Sequence, residues 1–232
     1  MKHYLVDIPK INLKNIEVDN KRIVALVCIY LSPLLLSDIH VENEYIAAFI
    51  ECFYYLTSMV MAELVTFKER KKNYRCFKKK TERYIVLNFT SIITCFAGQI
   101  LLAIISNKVA EGSSTKQESV LGMPIGMILI MACVYSPVVE ETIFRYALRK
   151  IIKNELAFIL ISGIVFGSVH VLSSISSHTL LEVVAYGIPH LGVGLYLAYI
   201  YASTNSLETC IITHRGINLL ASFPLVLLYI YR

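Results

Sequence analysis

The sequence lacks closely spaced cysteines, internal repeats and low-complexity tracts. Its six cysteines are scattered, and no two of them have the spacing of a metal site or a redox motif. No internal repeat or low-complexity tract is present, so we treat residues 1–232 as a single domain. The cysteines, most of which lie within apolar segments, are therefore interpreted as small apolar filler residues.

Hydrophobic residues, in contrast, make up 56% of the chain, and the mean hydropathy is +0.61. This exceeds what a soluble core of this length needs and indicates a polytopic membrane protein. A weaker apolar window, Ile23 to Ile39, is interrupted by Ser32, Pro33 and Asp38, so a re-entrant or tilted element is the alternative to a span there. Six stronger windows can each cross ~30 Å of hydrocarbon: Ile46 to Val65, Ile85 to Ile105, Met123 to Val139, Leu156 to Leu172, Leu181 to Tyr201 and Leu207 to Tyr231. The sequence predicts an all-α bundle of seven transmembrane helices, or eight if the chain folds back at Pro224.

Lysine and arginine are distributed unevenly between the segments that connect these windows. Five precede Ile23, nine lie from Lys68 to Arg83, and four lie from Arg145 to Lys153. Because basic residues are retained on the cytoplasmic side, the pattern predicts a multi-pass protein of the cell membrane with a cytoplasmic N-terminus. The net charge of +5 is explained by this topology. Attraction of the basic run to anionic lipid headgroups is a simpler interpretation than nucleic-acid binding.

Three polar patterns interrupt the apolar sequence: EETIFR at 140–145, FGSVH at 166–170 and HRGIN at 214–218. In the first, Glu141 and Arg145 are four residues apart, so they share a helix face and can form an ion pair. Glu140 is turned about 100° away and is left to face something else. The preceding Ser136 and Pro137 predict the start of a new helix, as N-cap and first-turn residues. An amphipathic helix at the membrane surface is the alternative interpretation of this segment.

The second and third patterns add histidine and asparagine within apolar windows. Gly163 and Gly167 would allow another helix to approach the segment that carries Phe166 and His170. A single histidine in a membrane helix usually makes one interhelical hydrogen bond. Ionisable residues on three segments need partners in lipid, however, so we expect them to converge. By helical rise, Glu140, His214 and His170 lie about 15, 13 and 22 Å from the cytoplasmic loops, which predicts a shared cavity open to the cytoplasm.

Such a cavity suits hydrolysis of a peptide bond. A carboxylate and an imidazole can activate water, while a second imidazole and an amide, on His214 and Asn218, donate to the oxyanion. The set Glu140, His170 and His214 could instead bind zinc, although no HExxH spacing is present. The residues alone leave both mechanisms open.

The three patterns resemble the motifs EExxxR, FxxxH and HxxxN of the CPBP family, the CAAX proteases and bacteriocin-processing enzymes, also called Abi proteins. The resemblance extends from Ser136 to Asn218, and we place the family core at about residues 123–222. It implies an intramembrane endopeptidase. The implied roles are Glu140 as general base assisted by His170, His214 and Asn218 as oxyanion donors, and Glu141, Arg145 and Phe166 as residues that support the site. It also favours a mechanism without a cofactor over a zinc enzyme.

The resemblance leaves the substrate open. The expected partner besides the lipid bilayer is a peptide or membrane-protein substrate, such as a leader peptide, a pheromone or a bacteriocin. A non-proteolytic scaffold or immunity protein that binds a regulatory membrane partner is the main alternative, and a transporter is a weaker one. The motifs GxSG, GxGD and HExxH of other intramembrane proteases are absent. Among the other polar residues, His190 is a possible lining residue of the cavity, whereas Glu51, Glu63, Glu182 and His178 are expected in water.

Overall fold

Apolar runs form helices throughout the part of the chain that the computed structural model describes, which is residues 20–35, 44–79, 81–109, 124–172 and 179–231. No strand occurs in these ranges, so the predicted all-α class is confirmed. The helices are α1 (Asn20–Leu35), α2 (Glu44–Lys79), α3 (Thr81–Val109), α4 (Ile125–Ile151), α5 (Glu155–Val171), α6 (Leu180–Thr204) and α7 (Leu207–Ile230).

Five of these helices, α2, α3, α4, α6 and α7, are long and apolar enough to cross a membrane. Helices α1 and α5 are shorter, with 16 and 17 residues. The chain is therefore a multi-pass membrane protein, as its hydropathy predicts. Helix α7 continues through Pro224 to Ile230, so the reversal that would have made an eighth span does not occur there.

The basic segment from Lys68 to Arg83 is not the loop that hydropathy predicts. Helix α2 continues to Lys79 and α3 begins at Thr81, so both helices extend beyond their apolar windows. Lysine and arginine have high helix propensity, which allows a helix to continue after the hydrophobic sequence ends. The apolar windows therefore indicate which residues are hydrophobic, but they do not predict where the helices begin and end.

Two of the four side chains expected in water also have specific partners. Arg70 on α2 binds Glu63 on the same helix and Glu208 on α7, so Glu63 belongs to an ion-pair network. Glu182 accepts hydrogen bonds from the backbone and hydroxyl of Thr179 and forms the capping box at the start of α6. Glu51 is exposed, as expected. His178 lies outside the described residues.

Helix α4 is the central element of the fold and packs against α1, α2, α5, α6 and α7. Every residue from Pro137 to Ala147 is buried. A helix enclosed on all sides can hold polar groups away from both lipid and bulk water. The first polar pattern, residues 140–145, lies in this enclosed segment.

Two wide, π-helical turns interrupt α4, at Met131–Tyr135 and Thr142–Ala147. The prediction that Ser136 caps a new helix is wrong, because Tyr135 and Ser136 both have helical backbone angles and the helix continues through them. Pro137 cannot donate a backbone hydrogen bond and crowds the preceding turn. The wide turn just before it accommodates the proline without ending the helix. Such turns are frequent at functional sites.

Glycines allow α5 and α6 to pack with their backbones in contact, as the second pattern predicts. A Cβ on Gly163 would lie 2.5 Å from Leu195 Cδ2, and one on Gly167 would lie 3.0 Å from Leu191 Cα. On the facing helix, a Cβ on Gly194 would lie 2.9 Å from the carbonyl oxygen of Gly163. These distances leave no room for side chains between the two helices.

We expect Gly194→Ala to destabilise the protein by about 1–3 kcal/mol, because the obstructing atom belongs to the backbone and cannot rotate away. The control is Gly98→Ala on α3, where a Cβ meets nothing within 4 Å. That substitution should be neutral or stabilising by up to about 1 kcal/mol. Unfolding of both variants in detergent measures the difference, and equal stabilities would contradict the described packing.

Candidate active site

The two oxygens of Glu140 have different surroundings. Oε1 accepts a hydrogen bond from Ser136 Oγ at 2.7 Å, one helical turn earlier. Oε2 lies 3.7 Å from Nε2 of His170 on α5 and has no hydrogen-bond partner among the described residues. Ser136 thus orients the carboxylate instead of capping a helix. One oxygen is held, and the other faces an imidazole.

The orientation of His170 follows from its second ring nitrogen. Nδ1 lies 2.8 Å from the carbonyl oxygen of Phe166. A carbonyl only accepts hydrogen bonds, so Nδ1 carries the hydrogen. In the neutral ring, Nε2 then presents a lone pair towards Glu140. The 3.7 Å between Nε2 and Oε2 is too long for a direct hydrogen bond. Two acceptors therefore face each other across a short gap.

Glu141 is fully buried and contacts two basic side chains, those of Arg145 and His214. Its Oε2 lies 3.0 Å from Nε of Arg145, which is the ion pair that the four-residue spacing predicts. Its Oε1 lies 2.9 Å from Nδ1 of His214 on α7. The second contact joins residues that are far apart in sequence, so no local spacing could have indicated it. Adjacent glutamates on α4 thus contact different histidines.

Arg145 connects α4 to α5 through a residue that the motifs do not include. Its guanidinium donates a hydrogen bond to Ser162 Oγ at 3.0 Å, and Ser162 donates to the carbonyl oxygen of Phe144 at 2.7 Å. The guanidinium also lies over the ring of Phe166, 4.8 Å from its centroid. Arg145 and Ser162 are both fully buried. This network fixes the helix that carries both glutamates against α5.

Phe166 lies between the two histidines of the site. Its ring centroid is 4.4 Å from that of His170 and 5.9 Å from that of His214. The ring of Phe144 packs edge-on against it at 5.4 Å. The single phenylalanine of the second motif thus touches side chains from all three motifs, which is consistent with its expected supporting role.

Asn218 contacts the first wide turn of α4. Its Nδ2 donates a hydrogen bond to the carbonyl oxygen of Ala132 at 2.7 Å. An amide nitrogen has two hydrogens, so one remains for another acceptor. Helix α7 is thereby joined to α4 at two heights, through His214 and through Asn218.

Tyrosines from the N-terminal helices lie beside Glu140, and the sequence did not single them out. Tyr135 on α4 donates a hydrogen bond to the hydroxyl of Tyr54 on α2 at 3.2 Å. Tyr54 in turn donates to the carbonyl oxygen of Tyr30 on α1 at 3.2 Å. All three side chains lie within electrostatic range of the Glu140 carboxylate. Helices α1 and α2 therefore form one wall of the site.

His190 on α6 contacts the site, as suggested for a lining residue. Its ring is stacked on that of His170, with centroids 4.6 Å apart and planes inclined by 20°. Side chains from α4, α5 and α6 thus meet at the gap between Glu140 and His170. No sequence motif includes His190.

The residues that could have bound zinc do not form a ligand set. In the described ranges, no three His, Cys, Asp or Glu side chains are grouped so that they could hold one metal ion. His214 contacts Glu141 instead of joining Glu140 and His170. The arrangement does not fit a zinc ion coordinated by Glu140, His170 and His214.

Comparison with known proteins shows similarity to a protein family. Residues 123–220 match the family model described as Rce1-like, Type II CAAX prenyl endopeptidase. No curated protein and no solved structure matches the chain. The matched range contains all seven motif residues: Glu140, Glu141, Arg145, Phe166, His170, His214 and Asn218. The resemblance of the three motifs to the CPBP family of CAAX proteases is therefore confirmed over residues 123–220.

Proposed function

We propose that this protein is an intramembrane endopeptidase that hydrolyses a peptide bond with a water activated by Glu140 and His170. The observation that carries the proposal is the pair of acceptors, Glu140 Oε2 and His170 Nε2, that face each other at 3.7 Å. The match to a prenyl endopeptidase model supports peptide hydrolysis as the reaction.

A water held by these two acceptors donates one hydrogen to each, which leaves an oxygen lone pair directed away from both. This lone pair attacks the carbonyl carbon of the substrate while Glu140 takes the proton of the water. The carbonyl oxygen becomes an oxyanion. The bond from carbon to nitrogen then breaks, and Glu140 returns the proton to the departing amine. The products are one new amine and one new carboxylic acid, which then loses its remaining proton to solvent, and no covalent intermediate forms.

In this proposal His214 and Asn218 donate to the oxyanion. Because Nδ1 of His214 donates to Glu141, Nε2 carries a hydrogen only when the ring is an imidazolium. The buried Glu141 carboxylate stabilises that cation, as a carboxylate does for the histidine of a hydrolytic triad. Asn218 contributes the amide hydrogen that does not bind Ala132. Preorganised donors of this kind typically contribute a factor of about 10²–10³ each to the rate.

We further propose that the N-terminus and the turns between α4 and α5 and between α6 and α7 lie in the cytoplasm. The basic residues of the N-terminal segment and of the turn between α4 and α5 support this orientation, and alternating crossings would bring the turn between α6 and α7 to the same side. The substrate would then reach the site from the cytoplasmic side of the cell membrane. The substrate is either a prenylated C-terminal peptide, as the family description suggests, or an unprenylated leader, pheromone or bacteriocin precursor.

The purified protein in liposomes tests this function with two probes. One is a farnesylated peptide that ends in a CAAX sequence, and the other is an unprenylated membrane-anchored leader peptide. Mass spectrometry of the products identifies the cleaved bond, and cleavage of one probe alone identifies the substrate class. The proposal is contradicted if Glu140→Ala and His170→Ala variants cleave either probe as well as the unmodified protein.

Removal of metal ions should leave the cleavage rate within about twofold of its starting value, because the proposed water is activated by side chains alone. Activity is measured after dialysis against a strong chelator and again after zinc is added back. The lipid composition and protein concentration are held constant as controls. Loss of activity that zinc restores would show instead that the enzyme is metal-dependent.

A further inference from the structure

His190 contacts the proposed water-activating residue without belonging to any of the three motifs. It lies on α6 after Pro189, and its ring stacks on His170 with centroids 4.6 Å apart. It forms no ion pair and no hydrogen bond that would assign it another role among the described residues. Its position against His170 therefore requires an explanation of its own.

The packing of α5 on α6 produces this stack. A Cβ at Gly167 would lie 3.0 Å from both the Cα and the N of Leu191, the residue that follows His190. The missing side chain thus allows the α6 backbone to approach α5 three residues before His170. At this separation, the ring of His190 reaches the face of the His170 ring.

The stacked ring of His190 restricts the orientation of the His170 ring, which few other contacts define. Its only hydrogen bond among the described residues is from Nδ1 to the carbonyl oxygen of Phe166. The terminal torsion of a histidine is broad, so one hydrogen bond leaves the ring plane loosely defined. Phe166 contacts the ring from the same helix, at 4.4 Å. His190 adds a contact from a different helix and fixes the ring relative to the bundle.

We propose that His190 is a positioning residue that holds the His170 imidazole in the plane in which Nδ1 donates to the Phe166 carbonyl and Nε2 faces Glu140. The inference rests on the proposed function, because the value of that orientation is activation of the water. His190 itself neither binds the water nor transfers a proton. Its contribution is to keep the two acceptors, Oε2 and Nε2, on opposite sides of the gap.

Two substitutions separate stacking from loss of the side chain. His190→Ala removes the ring, and His190→Phe replaces it with another flat ring of similar reach. Misplacement of a reacting group by about 1 Å can cost a factor of about 10² in rate. We expect His190→Ala to lower kcat by about 10–100-fold with KM changed less than about twofold, and His190→Phe to recover most of the loss. Unfolding in detergent confirms that both variants are folded.

Three kinetic outcomes would overturn the inference. An unchanged kcat in His190→Ala would show that the stack does not position His170. A raised KM with unchanged kcat would show that His190 contacts substrate. A His190→Phe variant as slow as His190→Ala would show that the imidazole nitrogens, and not the stacked ring, are required.

A second readout does not depend on proteolysis. In protein labelled with ¹⁵N-histidine, the nitrogen resonances report the tautomer of each ring, and loss of a signal in His170→Gln assigns the one of interest. We expect one tautomer, protonated at Nδ1, in the unmodified protein and in His190→Phe, and a mixture in His190→Ala. If no peptide is cleaved by the unmodified protein, the proposed function fails while this measurement still decides the inference. A single, unchanged tautomer in His190→Ala overturns it.

Discussion

The Glu140→Gln variant is expected to cleave peptide at a rate lower by a factor of about 10²–10⁴, with the fold intact. Glutamine has the shape of glutamate, so the contact with Ser136 can persist. An amide cannot take the proton of an attacking water, however. The substitution also replaces a buried carboxylate oxygen that has no hydrogen-bond partner among the described residues with an amide nitrogen that can donate towards His170 Nε2, so stability should be unchanged or increased.

Single-turnover cleavage in liposomes measures this effect without interference from product release. The matched control is Glu51→Gln, because Glu51 is an exposed glutamate on α2 and should have no role in catalysis. Unfolding in detergent shows whether both variants are folded. A Glu140→Gln protein that cleaves within a few-fold of the unmodified rate would rule out Glu140 as the base.

The Glu141→Gln variant is expected to lose about 3–5 kcal/mol of stability, which is the cost of removing one member of a buried ion pair. Arg145 would keep its charge in a fully buried position without a carboxylate. The amide of glutamine has one acceptor oxygen, so only one of the two donors, Arg145 and His214, would keep its acceptor. Activity should fall as well, but as a consequence of a loosened site.

Denaturant unfolding of Glu141→Gln beside Glu140→Gln measures this difference between neighbouring residues. The double variant Glu141→Gln, Arg145→Met should recover part of the lost stability, because it no longer contains an unpaired buried charge. A Glu141→Gln protein as stable as the unmodified one would contradict the structural role of this ion pair. The two predictions together separate a chemical role for Glu140 from a structural role for Glu141.

The parts of this structure that depend on local sequence were predictable. Hydropathy predicts where the apolar helices lie, and five of them are long enough to cross a membrane, because a spanning helix must be apolar over a length set by the bilayer. The pair of Glu141 and Arg145 follows from one turn of helix. The close approach at Gly163 and Gly167 follows from their small size. Each of these features depends on residues within a few positions of one another.

Other features depend on contacts between distant segments and were not predictable. The pair of Glu141 and His214 joins helices whose residues are 73 positions apart, and the stack of His190 on His170 joins α6 to α5. Serine is a residue type that often caps helices. The helices around α4 keep it continuous at Ser136, however, and the hydroxyl of Ser136 binds Glu140 instead. Ideal helical spacing likewise cannot indicate the two wide turns of α4.

If the protein is a non-proteolytic scaffold or immunity protein, the Glu140 carboxylate is not expected to be required. A scaffold or immunity protein binds its membrane partner through the surfaces of its helices, and a buried carboxylate is not required for that. Full function of Glu140→Gln in cells would therefore favour the scaffold. A transporter would instead show substrate movement without cleavage, and its expected internal repeats are absent from the sequence.

The most direct test of the central claim compares the membrane-bound and released peptides of cells that contain either the unmodified protein or Glu140→Gln at equal levels. The comparison works even when the substrate has not been identified. We predict that at least one peptide is cut at a single bond with the unmodified protein and accumulates uncut with Glu140→Gln. Identical peptide populations in the two kinds of cell would contradict the assignment of this protein as a glutamate-dependent intramembrane endopeptidase.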